Sequence, residues 1–210
     1  IVHNKSIYSK KMRIPAKIWN ELLTYINNIY IINYRKMRVP AKKWNGGTTL
    51  KEIKRDLYLN KLIERKENDM IKVITGIRRC GKSYLLFTLY YNYLLSIGID
   101  KSRIIKVDLD SEEYEDLLDA KKLGAYVREQ IKDDDMHYVF LDEVQYVEGF
   151  EKVLNGLNRI SNLDIYVTGS NSKFLSTDIL TEFRGRGDEV RIHPLTFSEF
   201  LNGFDGTKEE

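Results

Sequence analysis

Gly76-Ile77-Arg78-Arg79-Cys80-Gly81-Lys82-Ser83 decides the reading of this chain. The octet satisfies G-x-x-x-x-G-K-[ST] without a gap. An apolar, β-branched run, Ile71–Thr75, stands immediately before it, and the stretch Lys82–Ser96 carries Leu85, Leu86, Leu89, Tyr93 and Leu94 along one side of a helix. Strand, glycine-rich turn and helix in that order make a phosphate cradle. The glycines let successive backbone N–H groups point at phosphate oxygens, and the helix N-terminus adds its partial positive charge. Gly76, Ile77, Arg78, Arg79, Cys80, Gly81, Lys82, Ser83 and Tyr84 are therefore the expected nucleotide-binding residues. Lys82 is expected to bridge the β- and γ-phosphates of ATP, and the Ser83 hydroxyl to ligate Mg²⁺. Arg78 and Arg79 occupy variable positions of the loop and face phosphate, a partner subunit or solvent; Cys80 reads as a spacer.

Sixty residues after Lys82, Val139-Phe140-Leu141-Asp142-Glu143 is an apolar strand ending in two carboxylates. A magnesium ion shared with nucleotide oxygens needs an acidic partner, which Asp142 supplies. Glu143 is suited to polarise a water for attack on the γ-phosphate, so hydrolysis is expected rather than binding alone. Thr168-Gly169-Ser170-Asn171 closes a further strand, Asp164–Thr168, and offers Ser170 or Asn171 as a sensor of the γ-phosphate or of the attacking water. Arg184 and Arg186, in Phe183-Arg184-Gly185-Arg186-Gly187, are candidates for stabilising transition-state charge in cis or from a neighbour. His137 and His193 sit beside strands without a second metal-type ligand nearby and read as satisfied strand-end histidines.

Around these motifs, strands alternate with helices. Helices are expected over Leu50–Arg65, Lys82–Ser96, Leu117–Lys132 and from Phe150, where Phe150, Val153, Leu154 and Leu157 recur at i, i+3, i+4, i+7. Strands are expected at Ile71–Thr75, Arg103–Leu109 (running into Asp108 and Asp110), Tyr138–Asp142, Asp164–Thr168 and Glu189–His193. Alternation of this kind implies a parallel sheet covered on both faces, with ligands at the carboxyl ends of its strands.

The 210 residues suffice for one α/β domain and an appendage. Charge is unevenly spread. Residues 1–47 hold ten Lys or Arg and one acid, whereas the remainder holds 24 bases and 30 acids. The same 47 residues repeat a decapeptide: Lys11-Met12-Arg13-Ile14-Pro15-Ala16-Lys17-Ile18-Trp19-Asn20 returns 25 positions later as Lys36 to Asn45, identical at eight of ten places. This segment is expected to be a basic, poorly ordered extension, with the ATPase domain spanning 48–210. A nucleic-acid contact through the basic arm is an open expectation beside a plain solvated extension. One cysteine cannot form an internal disulfide, no secretory signal is visible, and the most apolar run is too short to span a bilayer, so a cytoplasmic protein is expected.

With these residues in place, Leu50 to Phe200 resembles the prokaryotic AAA-like P-loop ATPases that usually carry a C-terminal domain of unknown function. The resemblance rests on Tyr58-Leu59-Asn60-Lys61-Leu62, Thr75 to Ser83, Leu141-Asp142-Glu143-Val144-Gln145, Thr168-Gly169-Ser170-Asn171-Ser172 and Pro194-Leu195-Thr196-Phe197-Ser198-Glu199-Phe200, in that order. It implies a mostly parallel five-stranded sheet with helices on both faces, and additional strands between the phosphate-loop strand and the acidic strand. It further implies Lys82, Ser83, Asp142 and Glu143 in the roles given, Ser170 or Asn171 as the sensor, and Arg186 as a candidate arginine finger. Because this chain stops soon after the last of these motifs, a downstream domain is expected to be missing.

Mg²⁺-dependent ATP hydrolysis, stimulated by self-association or a protein partner, is the leading expectation. Its alternatives are a nucleotide-dependent switch or binding module with little turnover alone and, against the Asp142–Glu143 pair, a small-molecule kinase.

Overall fold

The computed structural model describes residues 53–170, 183 and 185–202, the side chains of 200–202 excepted. The expected basic extension, Asn171 and Arg184 lie outside the described residues. The chain divides into Ile1–Thr49 and Leu50–Glu210, and everything below belongs to the second unit.

Five strands form one sheet: β1 (Ile71–Thr75), β2 (Ile104–Asp108), β3 (His137–Asp142), β4 (Leu163–Thr168) and β5 (Gly187–Arg191). Their order is β2-β3-β4-β1-β5, and every pairing is parallel. In space, then, one strand (β4) separates the phosphate-loop strand β1 from the acidic strand β3. The helices are α1 (Asp56–Glu64), α2 (residues 82–96), α3 (Ala120–Gln130), α4 (Phe150–Leu157) and α5 (Phe197–Asn202).

Side-chain alternation explains both cores. Ile71, Val73, Ile105, Val107, Val139, Leu141, Leu163, Ile165 and Val167 point to one face, where Leu123 and Val127 of α3 and Phe150, Leu154 and Leu157 of α4 cover them. The intervening Ile74, Ile104, Tyr138, Phe140 and Tyr166 point the other way, onto α1 and α2.

Three elements differ from the sequence expectation for local reasons. Helix α1 begins at Asp56 because Arg55 (φ −111°, ψ 53°) leaves helical geometry while its carbonyl accepts from Tyr58 and Leu59 at 2.9 Å. The helix expected over Leu117–Lys132 is divided at Asp119. A 3₁₀ stretch, Glu112–Leu118, precedes this residue, and its carboxylate caps α3 by accepting from the Lys121 and Lys122 amides at 2.9 Å. Within α2, Leu85–Tyr90 is π-helical between α-helical turns at Lys82–Tyr84 and Tyr91–Ser96. The widened turn buries Leu85, Leu86, Phe87, Leu89 and Tyr90 together, more than a single α-helical stripe presents.

At the amino end of the sheet a buried polar network ties strands to the preceding turn. Lys72 of β1 pairs with Asp164 of β4, both essentially inaccessible. Asp164 also accepts from the Tyr166 hydroxyl at 2.7 Å and the Glu67 amide at 2.9 Å. Burial pulls the Lys72 ammonium below its ordinary range, with Asp164 opposing the shift. Removing one partner of such a pair strands the other. Asp164→Asn is therefore expected to cost about 3 kcal/mol in denaturant unfolding, and the volume-matched double change Lys72→Met/Asp164→Leu much less.

Candidate functional site: the carboxyl ends of strands 1, 3 and 4

The phosphate loop leaves β1 at Gly76, whose φ of +152° and surroundings exclude any other residue. A Cβ there would sit 2.5 Å from the Ile192 carbonyl oxygen and 2.7 Å from Cys80 Sγ. Arg79 is held at φ +69°, and Gly81 at φ +95° starts α2 with no side chain capping its first turn. An uncapped, positively polarised helix start at the end of a parallel strand suits an anion. Lys82 is buried against this loop, donating to the Gly76 and Ile77 carbonyls at 3.2 and 3.3 Å.

Strand β3 delivers Asp142 and Glu143 beside it. The Asp142 carboxylate is 5% exposed and accepts from the hydroxyls of Ser83 and Thr168. Burial pushes its pKa up to about 6, a rise that the two hydroxyls oppose and that Glu143 and Asp108 reinforce. Glu143 sits in the left-handed region at φ +51°, and its amide donates to Thr168 Oγ1 at 2.9 Å. One of its oxygens, Oε1, lies 3.9 Å from Lys82 Nζ, and the other accepts from Ser170 Oγ at 2.9 Å and from the Gln145 amide. Lys82, Ser83, Asp142, Glu143 and Ser170 thus meet in one place, as expected from sequence.

The remaining candidates divide. Ile77 and Arg78 are exposed on the loop, as is the Arg79 side chain. Cys80 is buried and its thiol is pushed up by burial against the pull of Lys82 and Arg55, which fits a spacer residue rather than a nucleophile. Tyr84 packs half-buried on the α2 face of the core. Arg186 is not brought to the cluster. It is exposed at the amino end of β5, where its carbonyl accepts from the Ile71 amide at 2.7 Å. That end is one strand length, roughly 15 Å, from the phosphate loop, so Arg186 is no catalytic residue of this chain's own site. His137 is a satisfied strand-end histidine: its ring nitrogens bond the Asp135 carbonyl at 2.7 Å and the Lys132 amide at 3.2 Å.

Three participants went unassigned in the sequence. Thr168 donates to Asp142 and accepts from Glu143, tying β4 to both acids. Asp108 lies opposite Asp142 in the register of β2 and β3, and burial together with Glu143 raises its carboxyl above the usual range. Arg55, 2% exposed, donates to the Cys80 carbonyl at 2.7 Å, the His193 carbonyl at 2.7 Å and Glu199 at 3.3 Å. It supports the phosphate loop from beneath and joins it to the chain after β5. The strand ends in Asp108 and Thr168 were visible signals; a lone arginine before a helix was not.

A strand–loop–helix anion cradle joined to an acidic strand end defines a P-loop nucleotide-binding domain of the ATPase-like class. Residues 68–201 match the family described as AAA domain, and the chain belongs to that family. A Haemophilus influenzae protein described as uncharacterized is 41% identical over 151 residues, 71% of this chain and 38% of that protein. A Methanocaldococcus jannaschii protein, also described as uncharacterized, is 37% identical over 155 residues, 72% of this chain and 31% of that protein. This chain thus spans about a third of the length of these relatives. Among solved structures, a Thermotoga maritima DNA polymerase III gamma subunit-related protein aligns with TM-score 0.48 at 12% identity, over 69% of this chain and 47% of its own. AMPPCP-bound DnaA from Aquifex aeolicus aligns with TM-score 0.44 at 19% identity, over 68% and 46%.

The donor set fits a magnesium ion held jointly with nucleotide. No group of three or more His, Cys, Asp or Glu able to hold a metal occurs among the described residues. Asp142 and the Ser83 hydroxyl offer two hard oxygens, and Mg²⁺ takes one or two such ligands plus phosphate oxygens and water. Among the described residues no helix is long and apolar enough to cross a membrane.

The raised Asp142 pKa has a consequence for stability. Between its unfolded value of 3.8 and about 6 the folded protein holds the extra proton. The stabilisation from this group is therefore complete below pH 4 and disappears as pH rises through 6. In nucleotide-free, metal-free buffer, wild-type protein is expected to lose roughly 2–3 kcal/mol relative to Asp142→Asn between pH 4 and 7 in denaturant titrations.

Proposed function

We propose that this domain hydrolyses ATP to ADP and phosphate with Mg²⁺. The observation that carries the reading is the meeting of Lys82, Glu143 and the Ser83–Asp142 pair at the carboxyl ends of β1 and β3, with Lys82 Nζ 3.9 Å from Glu143 Oε1. On this reading the loop amides and Lys82 bind the triphosphate, Lys82 exchanging its two carbonyl partners for β- and γ-oxygens. Ser83 and Asp142 hold the metal, which supplies charge neutralisation along the phosphates. Glu143 orients a water and accepts its proton on Oε1 as the water oxygen bonds to the γ-phosphorus. The bond to the β–γ bridging oxygen breaks, and its electron pair leaves on ADP. Ser170, which already bonds Glu143, is the sensor for which Asn171 remains the alternative.

A cytoplasmic location, association with further copies or a protein partner, and contact of the basic residues 1–47 with nucleic acid belong to the same proposal. A binding module with little turnover is the alternative reading, and one experiment separates the two. Glu143→Gln is expected to lower the rate of phosphate release by about 10²-fold or more while ATP affinity stays within about threefold. Lys82→Ala is expected to lose affinity itself. ATP binding with no turnover in wild-type protein selects the alternative.

A further inference from the structure

Gln145 is absorbed by none of the roles above, yet its side chain is committed to the site. It lies in the single 3₁₀ turn Val144–Tyr146 that follows β3. That turn is closed by the Tyr146 amide donating to the Glu143 carbonyl at 3.1 Å, which folds position 145 back toward position 143. The Gln145 amide nitrogen donates to Glu143 Oε2. Since a carboxylate can only accept, the nitrogen must be the atom facing Glu143, and Oε1 of Gln145 is left as the free acceptor. That Oε1 is buried and has no hydrogen-bond partner among the described residues. The fold gains no other hydrogen bond from this amide among the described residues and tolerates an unpaired buried carbonyl to keep it.

Glu143 is consequently gripped by one oxygen. Oε2 takes both the Gln145 amide and Ser170 Oγ, while Oε1 stands on the Lys82 side. We propose that Gln145 is a positioning residue of the hydrolytic site: with Ser170 it pins Oε2 of Glu143, so that Oε1 alone is presented to the attacking water. The inference rests on the ATPase reading for its consequence, but the grip itself exists without nucleotide.

Two measurements test it. In ¹⁵N–¹H spectra of the nucleotide-free protein, the Gln145 side-chain amide, identified by its loss in Gln145→Met, is expected to show one strongly downfield proton. In Glu143→Gln that proton returns toward the ordinary amide position. In steady-state turnover, Gln145→Met keeps the side-chain length without the donor. It is expected to lower kcat by about tenfold while affinity for a non-hydrolysable ATP analogue changes by less than about twofold. Gln145→Glu sets like charges together and is expected to fall further. In a Glu143→Gln background, Gln145→Met is expected to add nothing, whereas a structural role would add its effect there and shift analogue affinity. An ordinary amide shift, or a Gln145→Met variant within about twofold of wild-type kcat, overturns the assignment alone. A wild-type protein that shows the downfield amide but no turnover overturns the hydrolytic reading and, with it, the catalytic purpose of the grip.

Discussion

The site depends on the buried carboxylate of Asp142 accepting two hydroxyls from distant parts of the chain. Ser83 comes from the helix after β1 and Thr168 from the end of β4, while Asp142 itself terminates β3. The parallel order β3-β4-β1 puts all three at one rim. The same threonine accepts the Glu143 amide, so the two acids and the start of α2 share one set of bonds. Burial raises the Asp142 carboxyl to about 6, with the two hydroxyls opposing the rise and Glu143 and Asp108 adding to it.

The two ends of the sheet treat charge differently. At the amino end, Lys72, Asp164, Tyr166, Tyr90, Glu67 and Tyr138 satisfy one another in a closed network. At the carboxyl end, Glu143 lies 3.9 Å from Lys82 Nζ, and Glu143 and Asp108 add to the rise of the Asp142 carboxyl; residues other than glycine sit at positive φ at both ends, Glu67 and Asp69 before β1 and Arg79 and Glu143 at the site. Unfavourable local geometry and surplus like charge persist only where the surrounding fold over-determines them. Here the five strands and two cores supply that constraint.

The legible part of the site was contiguous. Gly76 to Ser83 and Leu141 to Glu143 each carry their meaning within a few residues, because loop, helix start and strand end are local structures. Arg55 was illegible because its partners, Cys80, His193 and Glu199, lie 25 to 144 residues away, and nothing about an arginine before a helix announces them. Thr168 and Asp108 were seen as strand ends without roles, since only the register with Asp142 gives them one. Arg186 was assigned by residue type, in cis or from a neighbour, and the structure shows only where this chain puts it. It belongs to an arginine-rich turn next to a strand, but at the end where the strand enters the sheet, so direction rather than identity removes it from this chain's site. The π-helical turn was invisible because Leu85–Tyr90 is apolar at nearly every position and fits either helical period.

Lys82 bonds two carbonyls of its own loop and lies near Glu143, so the ammonium is neutralised by groups that the loop's shape already brings to it. The loop leaves β1 at Gly76, where a Cβ would meet the Ile192 carbonyl oxygen at 2.5 Å. The loop is therefore preformed around its lysine, with Arg55 holding the Cys80 carbonyl from outside. Such preorganisation lowers the entropic cost of association. It also places the amides, the lysine and the acids where developing charge would be met by fixed dipoles, the arrangement that phosphoryl transfer rewards most.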